Sequence, residues 1–325
     1  MEEFFMRKKL IGVLLVAALL TGCQSSSDVL LSFSDSKKSS DVNISSVTTE
    51  QEDFFAKDLT IITDEFNHMN KEGITATSAF IVNDTDREVL YANNVYESLY
   101  PASLTKIVTA YVVLSQGDLK DMVTVSYNAS HITESGAKLC GLKEGDKVSL
   151  ETLLYSFLIY SGNDAGIAIA EHIGGTEENF AKMMNESMKS LGGVHSNFVN
   201  SHGLHDDNHY TTAYDLYLMF HELLQYDLFV SIINSDSYVA NYVDANGNTK
   251  EKTFLTTNRY LNGRTNTPEG LTVIGGKTGT TSKAGNCLIL YSKDTQDKNY
   301  ISIIMQAQDG DSLFSQMTNL LEIIP

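Results

Sequence analysis

The sequence predicts an α+β fold: an antiparallel five-stranded sheet with a helical subdomain inserted into it. Two observations carry this. Runs rich in Ile, Val and Leu at hairpin spacing occur twice around residues 78 to 94 and three times after residue 270. The stretch between them is dominated by helical periodicity, so strands from both ends must meet around the helices.

In chain order, KDLTIITDEFNHMNKEG (57 to 73) reads as a helix stopping at Gly73, and SAFIVNDTDREVLYANN (78 to 94) as a hairpin turning around Asn83 to Asp86. Pro101 introduces a helix from Ser103 to about Ser115, with Ile107, Tyr111 and Leu114 on one face. Helices follow over 150 to 160, 163 to 174, 177 to 192 and 212 to 227. Gly192 stops the third, and Thr212 with Asp215 forms a capping-box pattern at the start of the fourth. GLTVIGGKTG, GNCLILYSKD and NYISIIMQAQD are the three late strands, and a short helix from about Ser312 to Ile323 ends the chain. There is no internal repeat.

The first 53 residues are of another kind. Arg7, Lys8 and Lys9 precede an apolar run, Leu10 to Leu20, too short to span a bilayer, so residues 1 to 22 read as a signal peptide. Met6 is an alternative start, because Glu2 and Glu3 fit poorly in a positive leader. Leu20-Thr21-Gly22-Cys23 resembles a bacterial lipobox, in which the cysteine is diacylated and the chain is cut before it. Residues 23 to 53, Ser-rich and aperiodic, read as a flexible tether from lipidated Cys23, and residues 54 to 325 as one folded domain. The protein is thus expected outside the cytoplasm, held to the cell membrane by its lipid. A formal charge of −18 over 325 residues repels phosphate backbones and argues against nucleic-acid binding. Of the remaining cysteines, Cys287 sits in an apolar run and reads as a small buried hydrophobe, so no bridge to Cys140 is expected.

The chemistry starts from a Ser-x-x-Lys pattern that occurs three times. Ser34/Lys37 lies in the tether, where a solvated lysine keeps its proton at neutral pH. Ser135/Lys138 has no preceding Pro-Ala and no apolar helix after it. Ser103/Lys106 has both: the amine falls one helical turn from the hydroxyl, at a helix start that favours developing negative charge. A serine needs such a base, and the base must lose its proton through burial or a nearby cation. Lys277, between Gly275-Gly276 and Gly279 at the end of an apolar strand, is a candidate second cation, and those glycines let an extended peptide lie close. Alone it is a solvated strand end. Ser161 and Asn163 open a helix and alone make a capping turn; Ser126 and Asn128 repeat the spacing by chance.

Together the three motifs are far more specific. Pro101-Ala102-Ser103-Leu104-Thr105-Lys106, Ser161-Gly162-Asn163-Asp164-Ala165 and Lys277-Thr278-Gly279-Thr280-Thr281, in this order, resemble the signature of penicillin-binding proteins and serine β-lactamases. The neighbours of each motif, with Asn200 to Leu216 and Ala284 to Leu288, are similar to low-molecular-mass penicillin-binding proteins of the D-alanyl-D-alanine carboxypeptidase type. The likeness covers about residues 54 to 325.

The resemblance implies a β-lactamase/transpeptidase-like fold and a cofactor-free serine hydrolase acting on peptidoglycan stem peptides, with β-lactams as covalent inhibitors. It implies Ser103 as nucleophile, Lys106 as base and Ser161 as proton relay. Asn163 would position the substrate or Lys106, and Lys277, Thr278, Gly279 and Thr280 would line the substrate site, with the backbone N–H groups of Ser103 and Thr280 as oxyanion hole. His195, His202, His205 and His209 share a loop with Asp206 and Asp207, but the implied mechanism needs no metal and none is expected. Two departures stand out: Asp86-Arg87 replaces a Thr-Gly turn, and no length remains for the C-terminal β domain of many members. Two alternatives remain: a class A β-lactamase, whose Glu-x-x-Leu-Asn setting is not found between Asn163 and Lys277, the nearest shape being Glu222-Leu223-Leu224-Gln225 within a helix, and a silent wall-binding lipoprotein.

Overall fold

Five strands carry alternating or fully apolar stretches, and their positions in the sheet follow from that patterning. In the computed structural model, which describes residues 60, 62, 63 and 67–325, they are β1 (Ser78–Asn83), β2 (Glu88–Asn93), β7 (Leu271–Thr281), β8 (Gly285–Asp294) and β9 (Asn299–Ala307). All pairings are antiparallel, in the order β2-β1-β9-β8-β7, so the five-stranded sheet of the sequence reading is the sheet observed. β1, with every residue buried, is interior, whereas β7 is an edge and alternates buried with half-buried residues.

Both faces of the sheet are covered. Ala79 and Ile81 point into a core closed by the C-terminal helix Gly310–Leu321 through Leu313, Met317 and Leu320. Phe80 and Val82 point the other way, into the main core shared with the inserted helices. The chain crosses from β2 through a 3₁₀ turn (Ala102–Leu104) into helix α1 (Thr105–Gln116), two residues later than the sequence reading placed its start. α2 (Tyr127–Ser130) is a single turn and α3 (Leu150–Tyr155) runs into a π-helical turn, Ser156–Tyr160. α4 (Asn163–Gly174), α5 (Glu177–Ser190) and α6 (Ala213–Leu223) agree with the periodicity, and α7 (Asp227–Ile233) leads back toward the sheet. Thr212 caps α6, accepting from Asp215 N at 3.0 Å, while the Asp215 carboxylate also holds His195 N and Ser196 Oγ.

The middle is less helical than the sequence suggested. A second sheet, in the order β3-β4-β5-β6, is built from Met122–Thr124, Lys147–Ser149, Ser237–Val243 and Thr249–Leu255. Tyr238, Ala240 and Tyr242 alternate along β5, and Asn246-Gly247, with Gly247 at φ +85°, makes its hairpin turn; that was the legible signal. The helix read over 57 to 73 is also corrected where it is described: residues 67–73 are not helical, because His68 bridges to Asn93 and Met69 N donates to Ala92 O at 3.0 Å. The leader, the tether and Cys23 lie outside the described residues. Cys140 and Cys287 are both buried free thiols.

Candidate active site

Ser103 stands at a backbone arrangement that few sequences tolerate. Ala102, just before it, has φ +47°, and its carbonyl lies against Gly203, where a Cβ would fall 1.9 Å from Ala102 O. On the other side a Cβ at Gly279 would fall 2.9 Å from Ser103 N. The glycine of Lys-Thr-Gly therefore lets edge strand β7 close on the Ser103 turn. A buried chain of hydrogen bonds fixes the same turn. Thr105 Oγ1 donates to Ala102 O at 2.7 Å, and His209 Nε2 donates to Thr105 Oγ1 at 2.7 Å while His209 Nδ1 accepts from Val199 N at 3.1 Å. Burial pushes His209 down to about 4, so its imidazole is neutral and this tautomer is the consistent one.

Lys106 is completely buried, 0% exposed, one turn along α1. Its Nζ donates to Asn163 Oδ1 at 2.6 Å and to His202 O at 2.7 Å, and lies 4.7 Å from the centre of the Phe157 ring. Burial, and then the charge of Lys277, hold this amine well below its ordinary value of 10.5. Ser161 follows the π-helical turn in a left-handed conformation, φ +73°, that aims its hydroxyl at Lys277. Lys277 Nζ donates to Ser161 Oγ at 3.0 Å and to Thr278 O at 2.9 Å; burial first, then Lys138, lower it to about 7.

These residues surround a groove of about 1030 Å³ lined by Ser103, Ser161, Asn163, Thr278, Gly279 and Thr280. The structure thus brings together every residue of the folded domain that the sequence singled out as a candidate for catalysis or substrate binding. It also separates their levels: the hydroxyls line the groove, and the two lysines sit behind them. Asn163 Oδ1 faces Lys106 while the residue also lines the groove.

Sequence reasoning missed several participants. The His202 carbonyl and the Phe157 ring hold Lys106, and neither has a motif of its own. Asp164 accepts from Cys140 N (2.7 Å), Gly141 N (2.7 Å) and Leu142 N (3.1 Å), which draws the loop containing Lys138 to the groove wall. Both ring nitrogens of His202 are engaged, Nδ1 by Leu204 N at 3.1 Å and Nε2 by Glu177 at 3.3 Å. Among the described residues no group of three or more His, Cys, Asp or Glu side chains is placed to hold a metal ion. Glu222 lies in the last turn of α6 and bonds Gln225 at 3.1 Å, outside the groove lining.

Comparison with known proteins agrees with this geometry. Residues 64–309 match the family model described as D-alanyl-D-alanine carboxypeptidase. The chain is 34% identical over 252 residues to D-alanyl-D-alanine carboxypeptidase DacF of Bacillus subtilis, covering 76% of this chain and 61% of that protein. It is 33% identical over 256 residues to DacC of Escherichia coli, covering 76% and 60%. It therefore spans about three fifths of the length of these curated relatives. The crystal structure of the Streptomyces K15 DD-transpeptidase superposes with a TM-score of 0.71 at 26% identity, covering 78% of this chain and 98% of that one. By the three motifs, their assembly around one groove and these matches, the chain belongs to the D-alanyl-D-alanine carboxypeptidase family, Peptidase_S11.

Proposed function

We propose that the protein is a serine-type D-alanyl-D-alanine carboxypeptidase acting on peptidoglycan stem peptides. The observation that carries the reading is the hydrogen-bond count at Lys106. A neutral amine has two N–H donors and one lone pair; both donors have acceptors, in Asn163 and His202 O, so the lone pair is left for the proton of Ser103. Ser103 Oγ attacks the carbonyl carbon between the two D-alanines as its proton passes to Lys106. The C–N bond then breaks, the departing amine takes a proton through Ser161, and water hydrolyses the Ser103 ester. The terminal carboxylate meets the Thr278 and Thr280 hydroxyls, with the charge of Lys277 behind Ser161 attracting it from below. The likeness to a DD-transpeptidase supports a second reading in which an amine replaces the water. Intact mass measured against time with excess penicillin tests the acyl-enzyme common to both, and product analysis with and without an amine acceptor separates them.

Activity needs Lys106 neutral and Lys277 charged, which sets the sign of the pH dependence. The rate constant for penicillin acylation rises with pH as Lys106 loses its proton and falls again near pH 7 and above as Lys277 loses its own. Lys277→Arg, whose guanidinium stays charged, moves the falling limb to higher pH. A profile flat through pH 7, or a falling limb unmoved in Lys277→Arg, would exclude this assignment.

The cell-wall substrate puts the domain outside the cytoplasm, and Leu20 to Cys23 supports a mature lipoprotein that begins at Cys23 and carries the catalytic domain, residues 54 to 325, on the tether 23 to 53. Among the described residues no single helix is long and apolar enough to cross a membrane. In a bacterial host, Cys23→Ala is expected to move the protein from the membrane fraction to the soluble one; unchanged membrane retention would refute the lipid anchor.

A further inference from the structure

Ser135 and Lys138, unsuited to be a catalytic pair, nevertheless lie on the wall of the catalytic groove. The backbone there is fixed on both sides: Lys138 O accepts from Asn163 N at 2.7 Å, and Asp164 clamps the next turn. The half-buried Lys138 ammonium sits 4.1 Å from the centre of the Tyr160 ring, which packs in turn on Phe254 at 5.0 Å. Among the described residues no carboxylate lies within 4.0 Å of it.

The groove does not share the acidic balance of the chain, whose net charge is −18. The charged side chains lining the groove are Lys138, Arg259 and Arg264 against Glu134, with Arg259 already bonded to Asp311 at 2.6 Å. Lys138 also acts electrostatically on Lys277, so two like charges meet around one groove. A ligand carboxylate beside Lys138 relieves this repulsion, and the aromatic face holds the ammonium ready for it. Arg264, in contrast, is exposed, and its Nε is spent on Asn262 Oδ1 at 3.2 Å.

We propose that Lys138 selects substrates carrying a second carboxylate, in addition to the C-terminal one. This rests on the carboxypeptidase reading, since the leaving D-alanine has a single carboxylate and any second one belongs to the acyl half. The ligand class is then a peptide ending in D-Ala-D-Ala with an acidic side chain upstream, preferred over its amidated counterpart.

The test uses two such peptides, identical except for one upstream side chain that is either a carboxylate or its carboxamide. Calorimetric titration into the Ser103→Ala protein reads binding without turnover. The acid is expected to bind about tenfold more tightly than the amide, and adding Lys138→Gln is expected to bring the ratio near one. The ratio of kcat/KM with Ser103 intact should behave the same way; a change in the acidity of Lys106 or Lys277 would alter both peptides alike and leave it unmoved. Equal binding of the two peptides, failure of the acid to bind, a ratio surviving Lys138→Gln, or one lost only in Arg264→Gln overturns the proposal. If the binding ratio is as expected but neither peptide releases D-alanine, the proposal stands and the carboxypeptidase reading falls.

Discussion

Ser103→Ala is expected to take up no penicillin and to release D-alanine at a rate reduced by roughly 10⁴-fold or more. The groove contains other hydroxyls, so the result is not trivial. Ser161 is 6% exposed and donated to by Lys277, and Thr280 donates to Asn286 Oδ1 at 3.0 Å. Neither has a buried lysine amine one helical turn away on its own helix. Ser103 alone combines the lone pair of Lys106 with the closely approaching backbone of Gly279. Alanine adds no volume and leaves φ unstrained at this position, so thermal unfolding should be unchanged within experimental error. A single penicillin adduct persisting in Ser103→Ala would move the nucleophile elsewhere and undo the reading of the groove.

Lys106→Met is expected to slow acylation by roughly 10³-fold while leaving a folded protein, as befits loss of a general base. Methionine is the informative replacement. Its chain is about as long as the lysine stem, and its sulfur keeps contact with the Phe157 ring on which Lys106 rests. Two acceptors, Asn163 Oδ1 and His202 O, lose their donor, at a cost of roughly 1–3 kcal/mol each. Removing a fully buried amine offsets part of this. The decisive measurement is the acylation rate of a variant whose circular dichroism matches the parent. Acylation within about threefold of the parent would exclude Lys106 as the base.

What the sequence disclosed and what it hid follow physical lines. β1, β8 and β9 were legible because interior strands are apolar on both faces, and Ser103, Ser161 and Lys277 because each stands in a motif whose neighbours are constrained too. The small sheet was hidden because β6, Thr249–Leu255, exposes all but one of its residues and carries Lys250, Glu251 and Lys252. Residues 67–73 have an acceptable helical pattern, yet hydrogen bonding to β2 overrides it. Lys138 was hidden for a different reason. Its place in the groove is set by Asp164, a carboxylate twenty-odd residues on, whose three backbone partners have no side-chain signature.

The order of the strands has a consequence for how the molecule comes into being. β1 lies between β2 and β9, with Ser78 opposite Met305, so the central pairing joins nearly the two ends of the described chain. Loop closure over such a span is entropically unfavourable and slow. During synthesis the β1-β2 hairpin has one free edge until the final strand emerges, and β7, with Lys277, has no β8 to lie against. A nascent chain therefore has its serine long before it has the second lysine that conditions the first. The groove wall formed by Thr278, Gly279 and Thr280 is therefore complete only once β7 lies against β8.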